Sequence, residues 1–302
     1  MYDELFSKMV LAPMAGYTDH PFRQLCRENG AGLVFTELIS AEGLVRSNEA
    51  TRFLLKNVIQ DKPIAVQLFG NNEHTISRAA KLLDEHSPDF IDINMGCSVP
   101  KVCKNGSGAD LLRDPVKIYN IIYSTVKNSN SKITAKIRIG WNEELKNYRD
   151  VVNALTDAGV SFITVHGRTK TQQFKGLADW NIIEEIASFS KVPIIGNGDV
   201  VSYQDGISKK QKYNCAGIMI GRACIGNPWI FNGKIPTVEE KLKTAIRHIV
   251  MMEDFYGSHG ITLSRKHIAR YLSNFKNSSV LRCRIFQTTN LEEIKAILCE
   301  IR

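Results

Sequence analysis

The chain has 302 residues, of which 43% are hydrophobic and 23% are charged, a composition typical of a folded globular protein rather than a disordered segment. Its seven cysteines show no paired spacing, which argues against a disulfide framework, and no apolar run approaches the roughly 20 residues of a membrane span. The net charge of +8 favours polyanionic partners. We therefore expect a reduced, cytoplasmic, monomeric protein with no membrane or metal partner.

Eight short apolar runs recur between residues 9 and 220, and each is continuous rather than alternating, as expected for parallel strands buried on both faces. Helix-length periodic segments lie between most of them, such as 75–83, 116–126, 148–158 and 180–189. Eight β/α units in about 230 residues predict an α/β fold, a closed (β/α)8 TIM barrel over residues 1–234. The predicted strands are 9–12, 33–35, 64–68, 90–93, 133–139, 162–165, 193–195 and 217–220.

Residues 235–302 differ from the rest, because they contain helical patterns and no strand-like run. Thr237 and Glu240 have the spacing of a capping box, which predicts a helix that ends at Gly257. Two further amphipathic segments are predicted at 264–275 and 291–301. This part carries eleven Lys and Arg against seven Asp and Glu, which predicts a small helical domain that binds a phosphate backbone. Its candidate contacts are Lys243, Arg247, Arg265, Lys266, Arg270, Lys276, Arg282 and Arg284.

The segment 91–101 is the main candidate for a catalytic element. It leads from a predicted strand into a long loop, and such loops are uncommon in compact domains unless they are functional or disordered. Cys97 lies just past the strand end, near the amide of Asn94 and the cation of Lys101. In a parallel barrel, that end of the strands is where chemistry takes place. A buried structural thiol is the simpler alternative for an isolated cysteine, but the neighbouring polar residues favour a catalytic Cys97.

Polar residues and glycines follow the other predicted strands. Lys136 lies within the fifth strand, where an unpaired buried cation is costly, so it either pairs with a carboxylate such as Asp92 or contacts a ligand. The loops after strands seven and eight commonly hold a phosphate in such barrels. FMN has a shape that reaches from these loops across the barrel mouth, where a lysine can stabilise its reduced ring. The other candidates are Pro13, Met14, Ala15, Gln67, His166, Asn197, Gly198, Asp199, Gly221 and Arg222.

Six short motifs occur in order at these strand ends. They are APMAGYTD at 12–19, DINMGC at 92–97, KIR at 136–138, VHGRT at 165–169, GNGD at 196–199 and MIGRA at 219–223. Together they resemble the motifs of the tRNA-dihydrouridine synthases, and the bacterial B-type branch is the most similar. The resemblance covers the whole barrel and continues through GNPWIF at 226–231 into the basic tail.

The resemblance implies an FMN-containing barrel, a helical tRNA-binding domain, and reduction of the uracil 5,6 double bond with NADPH or NADH. It implies that Cys97 is the general acid. Ser98 stands where the family commonly has proline, so a less rigid loop is expected there. The implied cofactor-binding residues are Pro13, Met14, Ala15, Gln67, Lys136, His166, Asn197, Gly198, Asp199, Gly221 and Arg222. The implied substrate-binding residues are Asn94, Lys101, Arg168, Arg265, Lys266 and Arg270.

Two alternatives share some of these features. An FMN-dependent barrel that reduces a small molecule, of the dihydroorotate dehydrogenase or ene-reductase kind, would keep Lys136 and the phosphate loops but has no need of a basic tail. A non-catalytic RNA-binding protein on a barrel scaffold would be expected to have lost Cys97, Lys136 or the glycines, and all of these are present.

Overall fold

The computed structural model describes residues 2–273, 275 and 277–300. Within these residues, nine strands form one sheet in which every pairing is parallel. The strands are β1 (Val10–Leu11), β2 (Val34–Phe35), β3 (Ile39–Ser40), β4 (Ile64–Phe69), β5 (Phe90–Met95), β6 (Lys132–Arg138), β7 (Ile163–His166), β8 (Ile194–Asn197) and β9 (Gly217–Ile220). Their order is β1-β9-β8-β7-β6-β5-β4-β2, and β3 also pairs with β4.

The sheet closes into a barrel with eight strand positions. A parallel bridge between Val10 and Leu33 joins the two ends of the strand order. Strands β2 and β3 both lie against β4, at Ile64 and Leu68, so they form one barrel position interrupted at residues 36–38. All eight predicted strands are present, and the predicted TIM barrel is confirmed.

The helices lie between the strands and after the last of them. The helices are α1 (Tyr2–Ser7), α2 (His20–Glu28), α3 (Ala41–Val45), α4 (Glu49–Phe53), α5 (Glu73–Leu83), α6 (Pro100–Cys103), α7 (Pro115–Asn128), α8 (Tyr148–Asp157), α9 (Trp180–Phe189), α10 (Tyr203–Lys212), α11 (Val238–Tyr256), α12 (His259–Tyr271), α13 (Ser278–Gln287) and α14 (Leu291–Cys299). Short 3-10 turns occur at Val58–Asp61, Asp84–His86, Gly108–Arg113, Arg222–Cys224 and Pro228–Phe231. In the part of the chain described, no helix is both long and apolar enough to cross a bilayer.

The chain after the barrel is helical, as predicted, but contains one helix more than the sequence indicated. The predicted capping box is present, since Thr237 and Glu240 each bond the other's backbone amide, and α11 ends at Gly257 with φ +67°. Helix α12 begins at residue 259 rather than 264 and ends at 271, and α13 was not predicted. A separate apolar cluster packs these helices together. The predicted basic residue Lys276 lies outside the described residues.

An aromatic cluster fills the amino-terminal end of the barrel. Phe90 and Phe162 enter it at the start of β5 and just before β7, with ring centroids 5.1 Å apart in an edge-to-face arrangement. Helix α1, which the sequence pattern did not predict, adds Phe6 at 5.2 Å from Phe162 and Tyr2 at 6.4 Å from Phe90. Aromatic rings therefore fill this end of the barrel, and within the described residues its polar interior faces the carboxyl ends of the strands.

We expect Phe162→Ala to destabilise the fold by about 3–5 kcal/mol, because it removes a fully buried ring and leaves a cavity among three other aromatic rings. Val116→Ala, at a position that is 69% exposed on α7, is the control and should change the free energy of unfolding by less than about 0.5 kcal/mol. Urea unfolding of both variants measures the difference. Equal stability of the two variants would contradict the role given to the aromatic cluster.

Candidate active site

Along β5, the inward side chains change from apolar to polar towards the carboxyl end of the strand. On β5, Phe90, Asp92 and Asn94 share one face because strand side chains alternate, and the residues between them pack outward against the helices. The parallel register places Asp92 beside Gln67 of β4 and beside Thr134 of β6. The aromatic end therefore lies beneath a buried polar layer, and the polar layer lies beneath the mouth.

A chain of hydrogen bonds connects this polar layer to the Cys97 loop. Asp92 accepts from Thr134 Oγ1 at 2.6 Å and from Gln67 Nε2 at 2.7 Å. Gln67 Oε1 accepts from Asn94 Nδ2 at 2.8 Å. Asn94 Oδ1 in turn accepts from the backbone N–H of Cys97 at 2.9 Å and of Gly96 at 3.2 Å. Because a carboxylate only accepts, Asp92 fixes which way both amide side chains point.

Asp92 has no surface exposure, and burial raises its pKa to about 6, although the hydrogen bonds from Thr134 and Gln67 and the charge of Lys136 favour the ionised form. At pH 7 the carboxylate is therefore mainly ionised, which matches its two acceptor roles. A buried anion with both oxygens bonded holds its neighbours firmly, because leaving either donor unpaired would be costly.

Lys136 points to the mouth and is oriented by an amide rather than by an acid. Its Nζ donates to Asn197 Oδ1 at 3.0 Å, and Asn197 Nδ2 donates to the Met219 carbonyl at 2.9 Å, which fixes the orientation of that amide. Burial, and secondly the charge of Arg138, lower the pKa of Lys136 to about 8. The sequence left open a direct pair between Lys136 and Asp92. In the structure Lys136 donates to Asn197 instead, and Asp92 accepts from Gln67 and Thr134. The ammonium keeps donor capacity towards the mouth.

The Cys97 loop folds back on itself. The Cys97 carbonyl accepts from the N–H of Ala109 at 3.0 Å and from the Cys103 thiol at 3.3 Å. Gly108 has φ +62°, and a Cβ at this position would lie 2.9 Å from the Cys97 carbonyl oxygen, so only glycine fits here. The Cys97 side chain is partly exposed, whereas Cys103 is buried and burial raises the pKa of its thiol.

Arg138 is a second support for this loop that the sequence analysis did not assign to the site. Its Nε donates to the Gly96 carbonyl at 2.8 Å, and its Nη1 donates to the carbonyls of Thr169 and Gln173, each at 2.9 Å. Burial, and secondly the charge of Arg168, lower its pKa to about 10. The guanidinium therefore joins the loop after β5 to the loop after β7. Its position two residues after Lys136 on an inward strand face was the available signal.

His166 and Arg168 lie at the end of β7, two strand positions along the barrel from β5, the strand that leads to Cys97. Burial, followed by the charges of the surrounding cations, holds the pKa of His166 well below its ordinary value, so the ring is neutral and can accept from Arg168 Nη1 at 3.2 Å. Arg168 was predicted to face RNA, but its side chain is only 1% exposed. It donates to the carbonyls of Lys175 and Gly176 and to the Asp199 carboxylate at 2.7 Å. In this structure it orders the loop after β7.

Asp199 connects that loop to the loop after β9. Burial alone would raise its pKa, but hydrogen bonds from the Ala178 N–H and from Arg168 outweigh burial and lower it. Arg222 lies 3.4 Å from the same carboxylate and stays 59% exposed at the start of a 3-10 turn. The Arg222 guanidinium also lies 4.7 Å from the ring centroid of Phe174. Arg222 is therefore positioned at the mouth with its charge available to a ligand.

The first loop contributes Pro13, Met14 and Ala15 to the same end of the barrel. The Met14 carbonyl and N–H bond Thr18, which forms a tight turn. A Cβ on Gly221 would lie 3.9 Å from Met14 Sδ, so the first and last loops of the barrel are adjacent. Gly198, at φ +130°, adopts a backbone conformation that glycine accepts, and a Cβ there would lie 2.5 Å from Ala178.

A basic groove continues from this mouth onto the helical tail. One cleft of about 580 Å³ is lined by Tyr17 of the first loop together with Arg265, Lys266, Arg270 and Arg282 of the tail. A second cleft of about 370 Å³ shares Arg270 and Ser273 with it and extends to Arg222, Lys234 and Lys241. Neither lining includes a carboxylate. Lys101, the remaining predicted contact, is exposed on α6.

Asn94→Ala should loosen the Cys97 loop, because it frees the N–H groups of Gly96 and Cys97 and leaves Gln67 Oε1 without its donor. We expect faster amide hydrogen exchange in residues 96–109, measured by mass spectrometry. Asn128→Ala, which removes a bond to the Ser124 carbonyl at the exposed end of α7, is the control and should leave that segment unchanged. Unaltered exchange in Asn94→Ala would show that other contacts hold the loop.

Comparison with known proteins identifies the family. A sequence profile described as "Dihydrouridine synthase (Dus)" matches residues 10–301. The chain is 39% identical over 274 residues to the "Probable tRNA-dihydrouridine synthase" of Rhizobium leguminosarum bv. phaseoli, covering 89% of this chain and 86% of that protein. It is 34% identical over 296 residues to "tRNA-dihydrouridine synthase B" of Pasteurella multocida (strain Pm70), covering 92% and 88%.

A solved structure of a variant of NCR from Zymomonas mobilis has a similar fold, with a TM-score of 0.55 at 14% identity, covering 78% of this chain and 90% of that one. At this identity the likeness concerns the barrel alone. The sequence similarity, in contrast, extends through both the barrel and the basic tail and agrees with the resemblance that the strand-end motifs indicated. The chain belongs to the dihydrouridine synthase family.

Proposed function

We propose that the protein is a tRNA-dihydrouridine synthase that binds FMN at the barrel mouth and reduces the 5,6 double bond of uridines in tRNA. The observation that carries the proposal is the position of Cys97, whose backbone N–H bonds Asn94 at the mouth and whose thiol lies near enough to Lys136 to act on it electrostatically. The relatives named above carry the same activity in their names. We propose NADPH or NADH as the reductant and a single chain as the working unit.

The residues at the mouth fit a flavin phosphate. The Thr164 hydroxyl is buried without a hydrogen-bond partner, and Thr164 lies beside Lys136 in the strand register. A bound polar ligand could supply the missing hydrogen bond in this part of the barrel. Lys136 has spare donors, and Arg222 supplies an exposed cation. Residues proposed to hold FMN are Pro13, Met14 and Ala15 at the first loop, Gln67, Lys136 and His166 around the ring, and Asn197, Gly198, Asp199, Gly221 and Arg222 on the phosphate side.

Not all of these residues would act in the same way. Asn197 and Asp199 already bond Lys136, Arg168 and Arg222, so they orient the cations that would meet the cofactor. Lys136, with its pKa lowered to about 8, can hold a proton and a positive charge at the barrel centre at neutral pH. When bound, reduced FMN supplies the hydride.

Cys97 is proposed as the proton donor for the base. The hydride adds to C6 of uracil, and the proton at C5 comes from Cys97 Sγ, which together complete the reduction of the double bond. We also propose that Asn94 contacts the uracil, with its amide orientation fixed through Gln67. The base is stacked in folded tRNA and must be extruded to reach this depth, at a cost of a few kcal/mol.

The basic groove is the proposed tRNA surface. It carries Arg265, Lys266 and Arg270, continues to Arg222 at the mouth, and has no carboxylate in its lining. Backbone phosphates bound there would offset the cost of extruding the base. A flavin barrel that reduces a small molecule would not use this groove. Reduction of unmodified tRNA, compared with reduction of free uridine, orotate and simple enones, separates the two functions.

Cys97→Ala should bind FMN, accept electrons from NADPH and bind tRNA, yet transfer hydride to tRNA about 10²–10⁴-fold more slowly, the usual effect of losing a positioned proton donor. Rapid mixing of pre-reduced enzyme with unmodified tRNA measures this rate through flavin absorbance. Cys103→Ser is the matched control, since its hydroxyl can still donate to the Cys97 carbonyl, and it should react at nearly the normal rate. A normal rate in Cys97→Ala would refute the proton-donor role.

Lys266→Glu combined with Arg270→Glu should weaken tRNA binding roughly tenfold or more at low salt and reduce the salt slope of log K by about one unit per lost phosphate contact. Binding titrations across a salt series give both quantities. Lys81→Glu, on the exposed side of α5, should change neither. Flavin reduction by NADPH should be the same in the wild type, in the double variant and in Lys81→Glu. If the double variant binds tRNA like Lys81→Glu, the groove is not the RNA surface.

A further inference from the structure

Three potential metal ligands converge where the helical tail packs against the barrel. Asp19 caps α2, His248 lies on α11 and His267 lies on α12. One ligand-type atom from each lies within 4.8 Å of the other two. Their exposed fractions are 4%, 1% and 0%, so bulk water does not reach them freely. Asp19 precedes His248 by 229 positions, and His248 precedes His267 by 19, so no local spacing motif could have indicated the group.

Three ring nitrogens in this cluster have no hydrogen-bond partner. They are His248 Nε2 and both nitrogens of His267. Buried polar atoms are nearly always paired, so such a group calls for an ion or ordered water at the site. Three unpartnered nitrogens on two imidazoles, beside a carboxylate, form an unusual concentration of unused ligand atoms.

The chemistry of each ligand suits a metal ion. His248 Nε2 and both nitrogens of His267 are not used by any hydrogen bond in the described residues, so an unprotonated nitrogen of each ring can present its lone pair to an ion. His248 Nδ1 lies 3.4 Å from the Tyr271 hydroxyl, the outer partner that a ligating histidine commonly has. Asp19 bonds the Phe22 N–H through one oxygen and has the Tyr256 hydroxyl 3.4 Å from the other.

The charges around the cluster are nearly balanced. Lys266 acts electrostatically on all three residues, and Glu37 and Arg23 act on Asp19. Arg23 is itself paired with the buried Asp61 at 2.7 Å. With Arg23 neutralised by Asp61, two negative charges (Asp19 and Glu37) face one positive charge (Lys266). The local net charge therefore allows a cation to bind.

We propose that Asp19, His248 and His267 bind one divalent transition-metal ion, with water completing the coordination. Two imidazole nitrogens and one carboxylate oxygen are a ligand set used by zinc and by non-haem iron. Ligand atoms of a tetrahedral zinc site lie about 3.4 Å apart, given bonds of about 2.0–2.2 Å. The side chains would therefore close by about 1.4 Å from their widest separation here. This site is separate from the proposed flavin and tRNA sites and does not depend on them.

The proposed ion would fix the helical tail to the barrel. His267 follows Lys266, whose ammonium lies 5.4 Å from the Tyr17 ring centroid at the edge of the basic groove. The His267 ring packs on Tyr17 at 5.3 Å and on Phe22 at 4.9 Å, both from the barrel side. Metal binding at this junction would hold the groove and the mouth in a fixed relative position.

The test uses the full chain with its flavin bound. After gel filtration in chelator-free buffer, metal analysis should find about one first-row transition metal per chain. After stripping, Zn²⁺ titrated against a chromophoric chelator should bind in a one-to-one ratio, and the melting temperature should rise on binding. Crystals of the zinc-loaded protein should give an anomalous peak between the three side chains. No retained metal together with no zinc peak means ordered water only, which overturns the proposal.

Variants identify the ligands. Asp19→Asn, which keeps an acceptor for the Phe22 N–H, and His267→Asn should each weaken zinc binding roughly 100-fold or more. His74→Asn, at a side chain that is 84% exposed, should have no effect. Cys283→Ser with Cys299→Ser tests adventitious binding at exposed thiols and should also leave the affinity unchanged. Zinc lost only in the cysteine variant, or retained by both ligand variants, refutes the site. Should His267→Asn fail to fold, the anomalous peak in the wild type decides.

Discussion

The structure of the mouth depends on one buried carboxylate that must be fully hydrogen-bonded. Asp92 has no access to water, so its two oxygens require donors, and the register of three parallel strands supplies Thr134 and Gln67 at the same level. The direction of every later bond follows from that pairing. Gln67 must turn its oxygen to Asn94, and Asn94 must turn its oxygen to the amides of the Cys97 loop. A loop that lies outside the sheet is thereby held by the interior of the barrel.

Cations and amides have divided roles at the mouth. Arg138 and Arg168 are buried and bond backbone carbonyls, so they order the loops and have little capacity left for a ligand. Lys136 and Arg222 keep unused donors and face the opening. Asp199 contacts one arginine of each group, since it accepts a hydrogen bond from the buried Arg168 and lies near the exposed Arg222. Counting positive residues in the sequence cannot separate these roles. The roles differ in how many N–H donors of each side chain are already bonded to acceptors of the protein.

Much of the fold could be predicted because barrel strands and helices are encoded locally. All eight apolar runs became strands, and the helix at 180–189 has the predicted bounds. Helix α13 was missed because it has almost no amphipathic pattern and buries only Ile285. Helix α1 was missed because its packing depends on rings from β5 and the segment before β7. The strand-end positions explain why the predicted residues lie near one another at the mouth. The buried position of Arg168 and the meeting of Asp19 with two histidines arise instead from long-range packing that no local pattern encodes.

The aromatic seal at the lower end of the barrel has a kinetic consequence. Phe6, Phe90 and Phe162 fill the amino-terminal end of the described barrel, so the polar layer is approached from the mouth at the carboxyl ends of the strands. In the proposed reaction a nicotinamide and an extruded nucleobase would use this same opening, so each would leave before the other arrives. Turnover should therefore alternate between two half-reactions in a substituted-enzyme order, with parallel double-reciprocal plots. An excess of the reductant should inhibit by binding the reduced enzyme, which normally receives tRNA. An excess of tRNA should inhibit by binding the oxidised enzyme, which normally receives the reductant.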